Sequence, residues 1–154
     1  MSSKNNITAV TGEYFVAAEL GKRGILALTT PKNNPLYDLV AVNMDGTKSI
    51  FIQVKTMSVR NKQGWKLGTD ICTRKNNPNL FTILVNLKEN DVEYYIYEYD
   101  ILSSIVETNY TNYISVVKKD GSKKKEVAFR WHDFKFFTAR DYERKNNWSI
   151  LGFG

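Results

Sequence analysis

One cysteine, three prolines and one histidine occur in 154 residues. Cys72 has no partner for an internal disulfide, so the composition suits a reducing cytosol and predicts a cytoplasmic location. No histidine lies near it in sequence, so it reads as a small, partly buried side chain rather than a nucleophile. His132, with one distant cysteine, cannot assemble a zinc cluster. A surface or hydrogen-bonded role fits it better than catalysis, and no Ser-His-Asp triad can be argued from spacing. Gly46 and Gly64 lack the neighbours of a phosphate-binding loop. The longest apolar runs, such as Phe81-Thr82-Ile83-Leu84-Val85, are much too short to span a bilayer, which predicts no membrane partner. The first residues, Met1 to Asn6, are polar and lack the apolar stretch of a secretion signal.

The chain instead has an ordinary globular balance, 42% hydrophobic and 25% charged, and its length suits one domain with a real core. A net charge of +6 raises the prospect of a polyanionic partner and says nothing about fold. Ile7 to Arg23 reads as a helix, because Ala9, Tyr14, Ala17, Ala18 and Leu20 recur at helical spacing and Gly24 is a natural stop. Gly21 would allow close packing on a sheet. Ile25 to Leu28 reads as a strand and Thr29 to Pro35 as a polar loop. Ser58 to Asn79 reads as a long basic loop, with a short helical or extended piece at Trp65. Leu80 to Leu87 and Val92 to Tyr99 read as strands, and Asp100 as the cap of a helix from Ile101 to about Val106. Beyond it, Tyr113 to Val117 and Glu126 to Trp131 look extended. Phe134 to Phe137 reads as a strand or a turn of helix, Thr138 to Arg144 as a short helix, and Asn146 to Gly154 as a tail.

The most informative segment runs from Pro35 to Thr56. Two β-rich runs, Tyr37 to Val42 and Ser49 to Thr56, flank Asp45-Gly46, which predicts a hairpin. With Asp45 and Gly46 as the turn, Asp38 lies opposite Gln53, roughly 5 Å away on one face, and Lys55 shares that face. A three-residue loop bulged at Gly46 would shift the pairing by one and turn Gln53 away. Both faces look buried, so alternation does not decide between these registers. An acid, an amide and an amine amid Leu, Val, Ile and Phe need a reason. Taken singly, Asp38 could close a turn, Gln53 could end a strand, Lys55 could reach solvent and Glu13 could be an ordinary N-terminal helix acid. Glu19 reads as a surface residue.

The order α-β-β-β, then a basic loop, then β-β-α, points to a layered α/β core. With Asp38 before one strand and Gln53-Val54-Lys55 in the next, it resembles the PD-(D/E)XK nuclease superfamily over about the first hundred residues. The helix segment from Gly12 to Leu20 is similar to the first helix of archaeal-type Holliday-junction resolvases. The Gln-x-Lys variant is similar to Mrr-type restriction endonucleases. The family's usual motif has a carboxylate where this chain has Gln53, which removes one negative charge. The resemblance implies an α/β, restriction-endonuclease-like mixed central sheet flanked by helices. The chain, 1–154, would then be one nuclease-like domain, with a core of 1–106 and an aromatic and basic C-terminal extension, 107–154, packed on it.

The implied activity is phosphodiester hydrolysis in DNA by an endonuclease that uses Mg2+ or Mn2+. Asp38, Gln53, the Val54 carbonyl and Glu13 are the implied metal ligands, with Glu13 acting through water or holding Lys55. Lys55 orients or deprotonates water. The implied partner is DNA, with branched DNA and RNA left open, and the resemblance allows a homodimer. Arg60, Lys62, Lys66, Arg74 and Lys75, with Trp65 among them, directly follow the site and read as contacts to a nucleic-acid backbone. Lys118, Lys119, Lys123, Lys124 and Lys125 around Asp120-Gly121 read as a solvated hairpin tip. The aromatics from Phe129 to Phe137 read as core or subunit contact ahead of base stacking. Two other functions remain: a nuclease fold that has lost chemistry and binds nucleic acid or protein, and a structural protein dimerising through its aromatic C-terminal part.

Overall fold

Val16 and Leu20 stand one turn apart on the first helix and are fully buried. Gly12, one turn earlier on the same stripe, has no side chain to bury. That stripe lays the helix on the sheet. The helix stops where Gly24 takes a φ of +78° and Ile25 donates back to the Leu20 carbonyl.

The computed structural model describes residues 3–31 and 34–154. In chain order these are α1 (Ser3–Lys22), β1 (Leu26–Thr29), β2 (Leu39–Val42), β3 (Ser49–Met57), β4 (Gly64–Gly68), β5 (Leu80–Asn86), β6 (Glu93–Glu98), α2 (Tyr99–Ser115), β7 (Phe129–Asp133) and α3 (Ala139–Tyr142). Short 3-10 turns lie at Thr69–Cys72, Phe134–Phe136 and Trp148–Leu151. Five strands form one sheet in the order β1-β2-β3-β5-β6, and β4 pairs with β7 in a small second sheet. The β3–β5 pair is parallel and the other pairs are antiparallel. Every residue of β5 is buried, which explains its nearly unbroken apolar run: it is the strand covered on both faces. Among the described residues, no helix is long and apolar enough to cross a membrane.

Two cores sit on opposite faces of the large sheet. Ile50, Ile52, Val54, Ile83 and Ile96 face Val16 and Leu20 of α1, together with Trp148 and Leu151. Leu84, Tyr95 and Tyr97 face the other way, against Trp65 and Leu67 of β4 and Tyr99, Leu102, Ile105 and Val106 of α2. The C-terminal segment Asn146–Gly154 is thus no loose tail, since Trp148 and Leu151 complete the α1-side core.

Other local expectations also give way to tertiary contacts. The segment from Ser58 to Asn79 contains a real strand, whose Trp65 and Leu67 point inward while Lys66 points out. Trp65 is 2% exposed and its indole Nε1–H donates to the Val85 carbonyl at 3.0 Å, so it is a core residue and not a contact for nucleic acid. α2 runs to Ser115 and absorbs Tyr113, which the sequence predicts as extended. Asp100 does not cap that helix; its carboxylate accepts the Lys75 and Asn76 backbone N–H groups. His132 is fully buried and bonds Asp141 Oδ1 through Nε2 at 3.1 Å, while the Tyr97 hydroxyl donates to the same oxygen at 2.8 Å. Burial pushes the Asp141 carboxyl up, but bonds from His132, the Thr138 N–H and Tyr97 outweigh it and hold the group at about 2. This knot ties α3 to β6 and β7.

Gly21 touches nothing that would resist a side chain, whereas Gly12 meets Thr56. A Cβ on residue 12 would lie 1.8 Å from Thr56 Oγ1 and 2.9 Å from Thr56 Cβ. Close approach of α1 to β3 is therefore set at Gly12. Gly12→Ala should lower stability by about 1–3 kcal/mol, read from the urea midpoint, even though alanine is the better helix former. Adding Thr56→Ala should restore part of the loss.

Candidate active site

The hairpin has the register expected from a turn at Asp45-Gly46, with Leu39 opposite Ile52 and Val42 opposite Ser49. The connection is longer than two residues: Asn43 N–H donates to the Lys48 carbonyl and Gly46 N–H to the Asn43 carbonyl, with Gly46 at φ +72°. An even loop length preserves which side chains share a face.

The ladder changes at its far end. Ile52 pairs with Leu39, and its carbonyl also accepts the Asp38 N–H at 2.9 Å. Two residues against one make a bulge, and β2 leaves β3 there. Asp38 is then held on every side. Its carbonyl accepts the Thr30 N–H at 3.0 Å and the Thr30 hydroxyl at 3.2 Å. Its Oδ2 accepts the Val54 N–H at 2.8 Å, standing in for the strand that has departed.

Ile52 directs its carbonyl to the β2 side, so Val54, two residues on, directs both its N–H and its C=O to that same side. The Val54 carbonyl therefore looks into the notch that holds the Asp38 carboxylate. Glu13 of α1 reaches the notch from the helix side. It is half-buried, and its carboxyl is pushed above the usual range by burial first and by the Asp38 charge second. Glu13 and Asp38 both line a cleft of about 540 Å³ together with Tyr14, Thr29, Thr30 and Asn34.

Gln53 and Lys55 alternate with Ile52 and Val54, so they project from the sheet face opposite α1. The Gln53 amide Nε2 donates to the Leu36 carbonyl at 2.9 Å, two residues before Asp38. Its Oε1 is left over. Lys55 is exposed and, among the described residues, forms no ion pair. Thus Asp38 and Val54 meet directly and Glu13 joins them from above. Gln53 and Lys55 project from the other face of β3, so the expected placement of Asp38 opposite Gln53 on one face gives way: the bulge sets Asp38 against Ile52 and turns its carboxylate to Val54. Among the described residues, no three His, Cys, Asp or Glu side chains gather as a metal cluster. The donors available here are two carboxylates, an amide oxygen and a backbone carbonyl. An all-oxygen set fits a hard divalent cation, and the burial and Asp38 charge that raise the Glu13 carboxyl are what such a cation would offset.

The predicted basic loop is not one surface. Arg60 and Lys62 are exposed just after β3, and Lys75 is exposed before β5. Lys66 points outward from β4 with its Nζ 4.3 Å above the Phe129 ring. Arg74 does not stand free. It donates to Ser103 Oγ at 2.9 Å, to Glu107 Oε1 at 3.3 Å and to the Cys72 carbonyl at 3.1 Å, which ties the crossover to α2. Thr30 and Gly12, which fix Asp38 and α1, are the site residues that sequence reasoning missed. Thr30 carries no motif, and only the fold brings it to the Asp38 carbonyl.

The sequence matches no protein-family model and no curated protein. In structure the chain is similar to a bacterial homing endonuclease, at a TM-score of 0.57 and 18% identity over 99% of this chain and 95% of that one. A Holliday junction resolvase from the archaeal hyperthermophile Archaeoglobus fulgidus aligns at a TM-score of 0.49 and 15% identity, over 84% of this chain and 86% of that one. The homing endonuclease likeness spans nearly the whole of both chains and speaks for the fold. The chain accordingly has a restriction-endonuclease-like mixed α/β fold, a five-stranded mixed sheet flanked by helices.

Proposed function

We propose that the chain is a metal-dependent endonuclease that hydrolyses phosphodiester bonds in DNA at the notch between β2 and β3. The observation that carries this reading is the Val54 N–H donating to Asp38 Oδ2, beneath the Glu13 carboxyl. That bond orients a carboxylate at a strand edge whose next carbonyl is unclaimed by β2. Asp38, the Val54 carbonyl and Gln53 Oε1 would hold a Mg2+ or Mn2+ ion, with Glu13 reaching it through water. When bound, such an ion neutralises phosphate charge and lowers the pKa of an attacking water. Asp38 spends Oδ2 on the Val54 N–H and would offer Oδ1 to the ion. Gln53 spends its amide N–H on Leu36 and so presents its oxygen. A glutamate there would face the Leu36 carbonyl with no proton to give, which accounts for the amide in this chain. Lys55, unpaired among the described residues, orients the water and faces the charge that develops on the phosphate. Arg60 and Lys62, exposed just after β3, would meet the backbone of the bound strand.

One observation favours a second reading. Gln53 is engaged structurally, and among the described residues two acids face the notch, so a fold that binds nucleic acid without cutting it has support in the same geometry. Incubation with plasmid and with branched DNA, under magnesium or manganese, separates the two. Cleavage should appear and should drop roughly a hundred- to ten-thousand-fold in Lys55→Ala and in Asp38→Asn. Asparagine retains an acceptor for the Val54 N–H, so that variant stays folded. Salt-sensitive binding with no cutting under either metal would instead select the binding module.

Glu13 gives a readout that needs no substrate. Its folded-state pKa lies above its unfolded value, so it costs stability as pH rises through that window and costs nothing in acid. Glu13→Gln should therefore raise the melting temperature at neutral pH without metal and leave it unchanged below the glutamate range. Added magnesium should stabilise the parent more than the variant. Equal shifts in both proteins would remove Glu13 from the ion's surroundings.

A further inference from the structure

The aromatic stretch from Phe129 to Phe137 divides in two. Phe134 and Phe137 pack on Trp65 and Tyr95 in the core. Phe129 and Trp131 alternate with buried His132 and so project from the other face of β7. There they meet Tyr110 and Tyr113 of α2 and Phe136 around a cavity of about 270 Å³. That is just below the usual range for organic ligands, of a size for one small ring system.

Two further features of this cavity point to what it takes. Asn109 Nδ2 in its wall is buried and has no hydrogen-bond partner among the described residues. An unpaired buried donor is costly, and a ligand with a ring nitrogen or carbonyl would satisfy it. Cations also crowd its rim. Lys124 Nζ lies 3.9 Å above the Tyr113 ring, Lys66 Nζ 4.3 Å above Phe129, and the Arg130 guanidinium 3.4 Å above Tyr110. Beside them the turn closed by Lys118 and Ser122 carries Lys118, Lys119, Lys123 and Lys125. Among the described residues the one acid in the wall, Asp133, is 4% exposed and already bonded by Gln63 Nε2 at 3.2 Å. An apolar peptide would leave these cations unmatched.

We propose that the cavity between α2 and β7 receives an unstacked nucleobase of a bound nucleic-acid strand, with the lysine turn on the adjoining phosphates. The rings supply stacking faces, Asn109 supplies a donor to the base edge, and Lys66, Lys124 and the turn neutralise the backbone. The inference rests on the nuclease reading only in taking nucleic acid as the partner. It makes the protein a reader of unpaired or distorted strands rather than of smooth duplex.

The test uses the full chain in EDTA, which stops any metal-dependent cutting, and follows fluorescence anisotropy. Three probes are compared: a labelled single strand carrying 2-aminopurine, the same strand with abasic sites in place of its central bases, and the fully paired duplex. The base-bearing strand should bind more tightly than the abasic one and quench 2-aminopurine emission. Tyr113→Ala and Trp131→Ala should each weaken it roughly ten-fold and leave the abasic strand unaffected. Tyr113 is already 45% exposed, so its loss does not threaten folding, and Trp131→Phe should recover binding by keeping a ring. Equal affinity for abasic and base-bearing strands would overturn the proposal, as would variants that bind like the parent. Base-dependent binding, with no cleavage once magnesium or manganese replaces the EDTA, would sink the chemistry of the notch and leave the cavity standing. Cleavage without base dependence would do the reverse.

Discussion

The bond from the Val54 N–H to the Asp38 carboxylate is the constraint on which the site depends. A strand edge that loses its neighbour leaves N–H and C=O groups in need of partners. Here one side chain supplies the missing acceptor, so β2 can bulge and turn away at Asp38 without an orphaned donor in β3. The same event opens a gap beside the Val54 carbonyl and holds a carboxylate there. Thr30, just past β1, clamps the Asp38 carbonyl, and Gln53 of β3 clamps Leu36, so the chain before the bulge is pinned from both sides. The geometry of the candidate site is thus a by-product of satisfying backbone hydrogen bonds at the end of a ladder.

The second requirement is that α1 come close enough for Glu13 to feel Asp38. Helix and sheet meet through Val16 and Leu20, but the approach distance is decided one turn earlier, where Gly12 lies on Thr56. A glycine in mid-helix is poor for helix stability and good for contact. Placing the costly residue next to the acid that enters the notch links packing to chemistry: the closer the helix, the drier Glu13 and the higher its proton affinity.

Charge and aromaticity partition by the same logic of alternation. Along β7, odd-numbered Phe129 and Trp131 go to a cavity while His132 goes to a buried knot with Asp141 and Tyr97. Along β4, Trp65 and Leu67 go inward and Lys66 outward. Pairing β4 to β7 therefore builds a core layer and a cation-bearing aromatic face at once. Arg74, next to these basic residues in sequence, was captured by Ser103 and Glu107 of α2 and became structural.

Much of this could be read from the chain. Helical spacing before Gly24, the Asp45-Gly46 turn, the apolar run of β5 and the order of strands are local patterns, and local patterns follow from backbone stereochemistry alone. They suffice for the β2–β3 hairpin and the α/β class, and the Asp38, Gln53 and Lys55 motif is visible within them, but they do not choose between the two registers. Folding had to decide the rest, because it depended on residues far apart in sequence. β4 exists as a strand because β7 lies beside it. Trp65 is core because Tyr95, Phe134 and Phe137 surround it. The bulge at Asp38, which turns its carboxylate away from Gln53 to the Val54 N–H, comes from competition among hydrogen-bond partners that meet only once the sheet is assembled.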